Sequence, residues 1–255
     1  MIFSRMTPLR GLLTAGAVLV ALSPAHAADL GAGPADEASA SAAASQANWT
    51  GGFAGLDLGI GNQGTEWTYT SNLRQTSHDS RGDVFGFNAG YQRQFGMLVA
   101  GVEIDADWAN VRGKSDCPNA SFFCETRVSG LEAVQGRLGV ASGRWLAYGT
   151  MGLGLEQVSY AAGYKPDSTF DHLTPTHTLV GLAVGAGVDV KLSKRLSLGL
   201  DYQHFNFGSE TVTDTVVATG QPGNTYSTSP QNLDLVKLQL TYHFGGDAAD
   251  HQPLK

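Results

Sequence analysis

Residues 233–244, LDLVKLQLTYHF, constrain this chain more than any other stretch. Val236, Leu238, Leu240, Tyr242 and Phe244 share one phase, and Leu235, Lys237, Gln239, Thr241 and His243 the other. A period of two with one greasy and one mostly polar face is the pattern of a β-strand. The length suits the roughly 9–11 residues that a tilted strand needs to cross a bilayer. The two aromatics at its end sit where an interfacial girdle would lie.

Seven earlier segments alternate in the same way, at 49–60, 83–95, 98–109, 128–141, 145–160, 178–191 and 196–207. Segment 178–191 is the cleanest, with Val180, Leu182, Val184, Ala186, Val188 and Val190 opposite Gly181, Ala183, Gly185, Gly187 and Asp189. Phe205 and Phe207 break the phase of the seventh segment, which predicts a bulge or a strand end there. Short turns at Gly96, at Ser142-Gly143-Arg144 and at Ser193-Lys194 alternate with four long polar connections, 61–82, 110–127, 161–177 and 208–232. An even strand number with long loops on one side only predicts an all-β, eight-stranded antiparallel transmembrane up-and-down barrel, with both termini at the short-turn, periplasmic end.

Alternation alone does not say which face meets water. A lipocalin-like soluble barrel would turn the apolar set inward and show water a surface of Gly, Asp and Gln, unusually poor in Lys and Glu. Charged residues are 15% of the chain, below the roughly 25% of soluble domains, which favours the membrane reading. The lumen of eight strands is only wide enough for side chains. Its expected polar network is Asp57, Glu103, Asp105, Arg137, Asp189, Asp201 and Lys237, with glycines making room for the long members. Alternate acids on 98–109 need a basic partner, which Arg137 supplies. Phe95, Trp108, Trp145, Tyr242 and Phe244 are the expected aromatic girdle. Glu132 falls on the apolar phase and is expected near the outer rim.

Residues 1–27 read as a signal peptide: Arg5 and Arg10, an apolar stretch at 11–22, and the cleavage site Ala25-His26-Ala27. Residues 28–48, rich in Ala, Ser and Gly, read as a flexible periplasmic linker, 49–244 as the barrel and 245–255 as a tail. Cys117 and Cys124 are close in sequence, and in an exported chain they favour a disulfide, which would contribute on the order of 2–3 kcal/mol.

Trp49-Thr50-Gly51-Gly52-Phe53-Ala54-Gly55-Leu56 resembles the opening strand of small OmpA-like outer-membrane barrels, the porin-family or RopB-like surface proteins. Val102–Trp108, Gly136-Arg137-Leu138-Gly139, Arg144-Trp145-Leu146, Leu200-Asp201-Tyr202 and the closing Tyr-x-Phe resemble further motifs of that family in the right order. The resemblance spans the barrel and implies a surface-exposed outer-membrane protein of Gram-negative bacteria, with no known reaction. Such barrels usually end on the aromatic residue, whereas residues 245–255 follow Phe244 here.

No G-x-S-x-G, H-E-x-x-H or P-loop is present, so no enzyme, cofactor or metal site is expected. His78, His172 and His177 read as solvated loop residues. A formal net charge of −7 argues against nucleic acid. The expected partners are outer-membrane lipids, including lipopolysaccharide through basic groups such as Arg74 or Arg112, the barrel-assembly machinery, and an extracellular ligand of the loops. The expected role is envelope integrity and surface display by a barrel plugged with salt bridges. The alternatives are a small cation-favouring pore and a loop-borne adhesin or haem-binding protein. Intact mass of the protein from outer membranes should match a chain beginning at Ala28; a mass that includes residues 1–27 would refute the processing site.

Overall fold

The computed structural model describes residues 47–229 and 231–244. The signal segment, residues 28–46 of the linker and the tail at 245–255 lie outside them. Eleven strands form among the described residues: β1 (Gly51–Tyr69), β2 (Gln75–Phe95), β3 (Leu98–Asp116), β4 (Phe122–Ser142), β5 (Trp145–Tyr164), β6 (Thr169–Leu173), β7 (His177–Lys191), β8 (Leu196–Asn206), β9 (Thr211–Val216), β10 (Pro222–Thr228) and β11 (Asn232–Phe244). The expected barrel is the ring β1-β2-β3-β4-β5-β7-β8-β11, closed where β11 pairs antiparallel with β1 from Gly52↔Phe244 to Gly64↔Asn232. The opening stretch, now β11, lies between the first and the seventh strand of this ring, β1 and β8.

The long connections differ from expectation. Two of them are mostly strand, because β1 and β2 run on to a short turn at 70–74 and β3 and β4 to one at 117–121. The other two carry β6, β9 and β10. These short strands replace β7, β8 and β11 at the long-hairpin end. There β5 pairs with β6, β6 with β9, β9 with β10, and β10 with β1. A second ring of eight strands, β1-β2-β3-β4-β5-β6-β9-β10, therefore continues the wall above the first and shares its strands β1–β5.

Polarity inverts between the two rings without a change in strand alternation. In the lower ring the large apolar side chains point outward: Leu56 is 70% exposed, Val134 63% and Leu153 64%, while Lys237 and Gln203 are fully buried. That inside-polar arrangement excludes the soluble-barrel reading. On β2 the outward apolar side chains run from Phe85 to Phe95, which at ~3.3 Å per residue and a tilt near 40° spans about 25 Å, the height of a barrel's lipid-facing band. Above that band the interior becomes apolar. Trp67, Val84, Val111, Val128, Leu131, Val158, Tyr160, Phe205, Leu233 and Leu235 form one buried cluster.

The inversion explains the apparent phase break at Phe205. β8 does end nearby, at Asn206, but Phe205 stays in register with Ala183 and Leu233 and points inward like Asp201 and Gln203. The aromatic changes chemistry because it has risen out of the membrane, not because the backbone has slipped.

His78 belongs to this upper core. It is 9% exposed, bonded through Nδ1 to Ser115 Oγ (3.1 Å) and through Nε2 to Thr126 Oγ1 (2.8 Å), edge-on to Trp67. It is not a solvated loop residue. His172 and His177 likewise have partners, Asp214 at 3.0 Å and Glu210 at 3.1 Å. Burial pushes the His78 imidazole down to about 4 from 6.5, against a weaker upward pull from Asp79. The unfolded chain then takes up a proton that the folded chain refuses. The stability held by neutral His78 is complete above pH 6.5 and is lost as pH falls toward 4. In detergent, the melting temperature should fall less between pH 7 and pH 4.5 for His78→Gln than for the native protein. Parallel pH profiles would refute the role given to His78.

Candidate functional site

The lower ring encloses a stack of polar side chains. Arg137, from β4, donates through Nη1 to Glu103 Oε2 at 2.7 Å and through Nη2 to Asp189, while its guanidinium lies 3.5 Å from the centre of the Tyr148 ring. These groups come from β3, β4, β5 and β7, so one cation ties four strands together. One level up, Lys237 Nζ lies 3.0 Å from Asp105 Oδ1 and 3.0 Å from Asp107 Oδ2, and 3.9 Å from Asp57 Oδ1. That centre joins β11 to β3 and faces β1. Asp201 accepts a hydrogen bond from the Tyr148 hydroxyl at 3.1 Å.

All seven sequence-derived lumen residues are buried inside the ring. The pairing is finer than expected. Acids on alternate positions of β3 divide between two cations, Glu103 going to Arg137 and Asp105 with Asp107 to Lys237. Sequence reading left Asp107 out of the network, although it shares the phase of Glu103 and Asp105. It also missed Gln135, which donates to Asp105 Oδ2 (3.2 Å), and Gln63, which donates to Glu156 Oε1 (2.6 Å). Amides carry no charge pattern that would mark them. Gly86 and Gly199 are the spaces into which carboxylates fit: a Cβ at Gly86 would collide with Asp107, and one at Gly199 with Asp189.

Apolar layers lie at both ends of this stack. Above it, Leu235, Val84 and Val111 converge over the open face of Gly61. Below it, Trp49, Val99, Ala141, Leu146 and Tyr148 form a second buried cluster. Trp49 is 1% exposed, edge-on to His243, with Lys191 Nζ 4.7 Å from its ring centre. The chain before it is anchored as well: Ala47 N–H donates to Gly143 O at 2.9 Å, in the β4–β5 turn. Residues 47–48 thus depart from the expected linker, with Ala47 tied to the short-turn end and packed against the lower cluster.

The expected girdle residues all face outward. Trp145, Phe95, Tyr242 and Phe244 ring the short-turn end, and Trp108 sits at the other edge, stacked on Phe85 at 5.2 Å. Glu132 also faces outward, in register with Ala106 and Leu155. Cys117 and Cys124 are disulfide-bonded, Cα–Cα 5.2 Å, across the β3–β4 turn. One Ser–His contact escaped sequence reading: Ser197 Oγ and His243 Nε2 are 2.8 Å apart, both buried near the lower mouth. The two residues lie on adjacent strands, β8 and β11, but 46 positions apart in the chain.

The outer membrane protein beta-barrel domain family matches residues 37–244. The chain belongs to that family. Its place is therefore the bacterial outer membrane, and the match begins inside the segment read from sequence as a linker. The 31 kDa outer-membrane immunogenic protein of Brucella melitensis is 26% identical over 209 residues, covering 77% of this chain and 84% of the relative. The 22 kDa outer membrane protein of Rhizobium leguminosarum is 31% identical over 129 residues, covering 51% of this chain and 53% of the relative. Among solved structures, the outer membrane protein OprG of Pseudomonas aeruginosa superposes with a TM-score of 0.52 at 11% identity, over 78% of this chain and 99% of OprG, a likeness of fold alone.

Because Lys237 is fully buried beside Asp105 and Asp107, removing its charge strands two carboxylates. Lys237→Met should cost about 3–5 kcal/mol, read as a lower urea midpoint for the folded, heat-modifiable band. Asp107→Asn in the same chain, which returns the cluster to its native net charge, should recover part of that loss, and an unchanged midpoint in Lys237→Met would contradict the pairing.

Proposed function

We propose that this protein is a structural component of the outer membrane, a barrel whose occluded lumen supports envelope integrity and whose upper ring is displayed at the surface. The observation that carries the reading is the filling of the lumen. Two cation-centred clusters occupy its middle, an apolar layer lies above them, and Trp49 packs with His243 and Lys191 below. A conducting path would have to break buried ion pairs or desolvate an ion past Leu235 and Val111, both of which oppose flow.

The upper ring favours a second role, binding of a ligand from outside. A cavity of about 200 Å³ at the tip is lined by Tyr69, Arg74, Phe122, His172 and Asn224 beside the disulfide. A small polar or aromatic molecule fits its chemistry, and display on a rigid double ring would hold it in place. No catalytic role is proposed. The Ser197–His243 pair is buried under Trp49, and among the described residues no carboxylate is hydrogen-bonded to the His243 ring to orient it.

Planar-bilayer recording separates the occluded barrel from the pore. The purified protein should give no steady unitary conductance in molar potassium chloride. Reproducible cation-favouring steps, abolished by a substitution such as Asp57→Asn, would replace the occluded reading with the pore.

A further inference from the structure

A row of like charges crosses the outside of the wall just above the lipid-facing band. Arg81 on β2 is in register with Arg112 on β3, and Arg112 with Arg127 on β4. All three are exposed. The row ends in neutral groups, Asn62 on β1 and Ser159 on β5, so five adjacent strands present three guanidiniums and no carboxylate at this level. Arg81 Nε donates to Asn62 Oδ1 at 3.0 Å. Among the described residues, none of the three arginines forms an ion pair.

Like charges directly opposite one another on a sheet destabilise it. No acid is the register partner of any of the three: Asp234 on β11 stands at the same level beyond Asn62, two strands from Arg81, and is bonded to Tyr202 at 2.6 Å and His204 at 2.7 Å. Glu125 is paired in register with Lys114, one outward-facing level higher, while Asp79 and Asp83 flank Arg81 along its own strand. Three guanidinium forks side by side are a geometry for anionic oxygens, phosphate above all.

The wall below the row says what such an anion is attached to. Below the row, past one outward level that carries Asp83 on β2 and Asn110 on β3, lie stacked Phe85 and Trp108, the edge of the apolar band. Beneath these, a membrane-facing groove of about 420 Å³ runs from β2 and β3 across to β5, between Phe87, Ile104, Leu153 and Leu155 and over the small side chain of Ala106. Glu132 faces this groove, five residues along β4 from Arg127, hence roughly 15 Å from the row and too far to neutralise it. A groove apolar except for Glu132, topped by a cationic row, is complementary to an amphiphile with hydrocarbon chains and a phosphorylated head.

We infer that Arg81, Arg112 and Arg127, with the groove below them, form a binding site for a phosphorylated lipid of the outer leaflet. The long-hairpin end faces outward in barrels of this kind, which puts the row at the level of that leaflet's headgroups. The inference rests on the outer-membrane placement of the barrel and not on whether the lumen conducts.

Native mass spectrometry of the refolded full chain from non-ionic detergent tests the site, with bis-phosphorylated lipid A, the same glycolipid dephosphorylated, and inorganic phosphate as probes. The native protein should retain the phosphorylated glycolipid, at least tenfold more weakly when Arg112→Gln and Arg127→Gln are combined. Dephosphorylation of the probe should cause a similar loss, and Arg144→Gln at the short-turn end should change nothing. Equal retention by the double variant would overturn the assignment. So would retention of the dephosphorylated probe, or binding of inorganic phosphate as tight as that of the glycolipid. Should the double variant fail to give a heat-modifiable band, Arg112→Gln alone and the two glycolipids on the native protein carry the same comparison.

Discussion

Two buried cations hold together a lumen that would otherwise repel itself. The inward faces of β1, β3, β7 and β8 bring Asp57, Glu103, Asp105, Asp107, Asp189 and Asp201 into one narrow space. Arg137 and Lys237 lie on two other strands, β4 and β11, and each gathers acids from across the ring. In lipid the strands must close into a ring because an open edge would leave backbone groups unpaired. Ring closure alone does not decide what fills the middle. That is decided by the registers Gly101↔Arg137 and Gly59↔Lys237, which oppose glycine to each long cation and leave room for its stem and its partners.

The second ring follows from the same backbone in a different solvent. Alternation continues unbroken up β1 to β5, but above the band both neighbours of the wall change. The outside meets water and the inside meets other side chains, so apolar residues move to the inward phase. Trp67 stacks on Tyr226 at 4.6 Å, with Tyr160 edge-on, and the cluster caps the polar stack from above. The apical cavity and the arginine row both belong to this part of the wall, so the surface-facing chemistry of the molecule rests on strands that the membrane has already fixed in register.

The membrane part was legible in the sequence because it obeys one rule, apolar outward and polar inward at period two. All eight strands of the lower ring, its short turns and its closure could be read from that rule. The upper ring was not legible, because there the rule reverses. Segments such as 61–82 mix Thr, Ser, Asn and Asp on the outward phase with Gln63, Thr65 and Trp67 inward, which looks like loop composition. The same reversal made Phe205 look like an irregularity and His78 look solvated. The lumen residues were legible as a set but not as pairs. Assigning Asp107 to Lys237 needs the register across 130 residues of chain, which alternation does not carry. The packing of Trp49 and Ala47 at the lower mouth was hidden for another reason: β1 begins only at Gly51, so no period marks which way either side chain points.

The central claim is that the lumen cations stabilise the barrel through specific charge pairs and are more than residents of a polar space. A double-mutant cycle on Arg137 and Glu103 tests it most directly, using Arg137→Met, Glu103→Gln and both together, with unfolding by urea followed in detergent. The cycle cancels the effects each substitution has on its own and leaves the interaction between the two. The account predicts a coupling of about 1.5–3 kcal/mol, with the double variant less destabilised than the sum of the single ones. Additive losses, with coupling near zero, would contradict it.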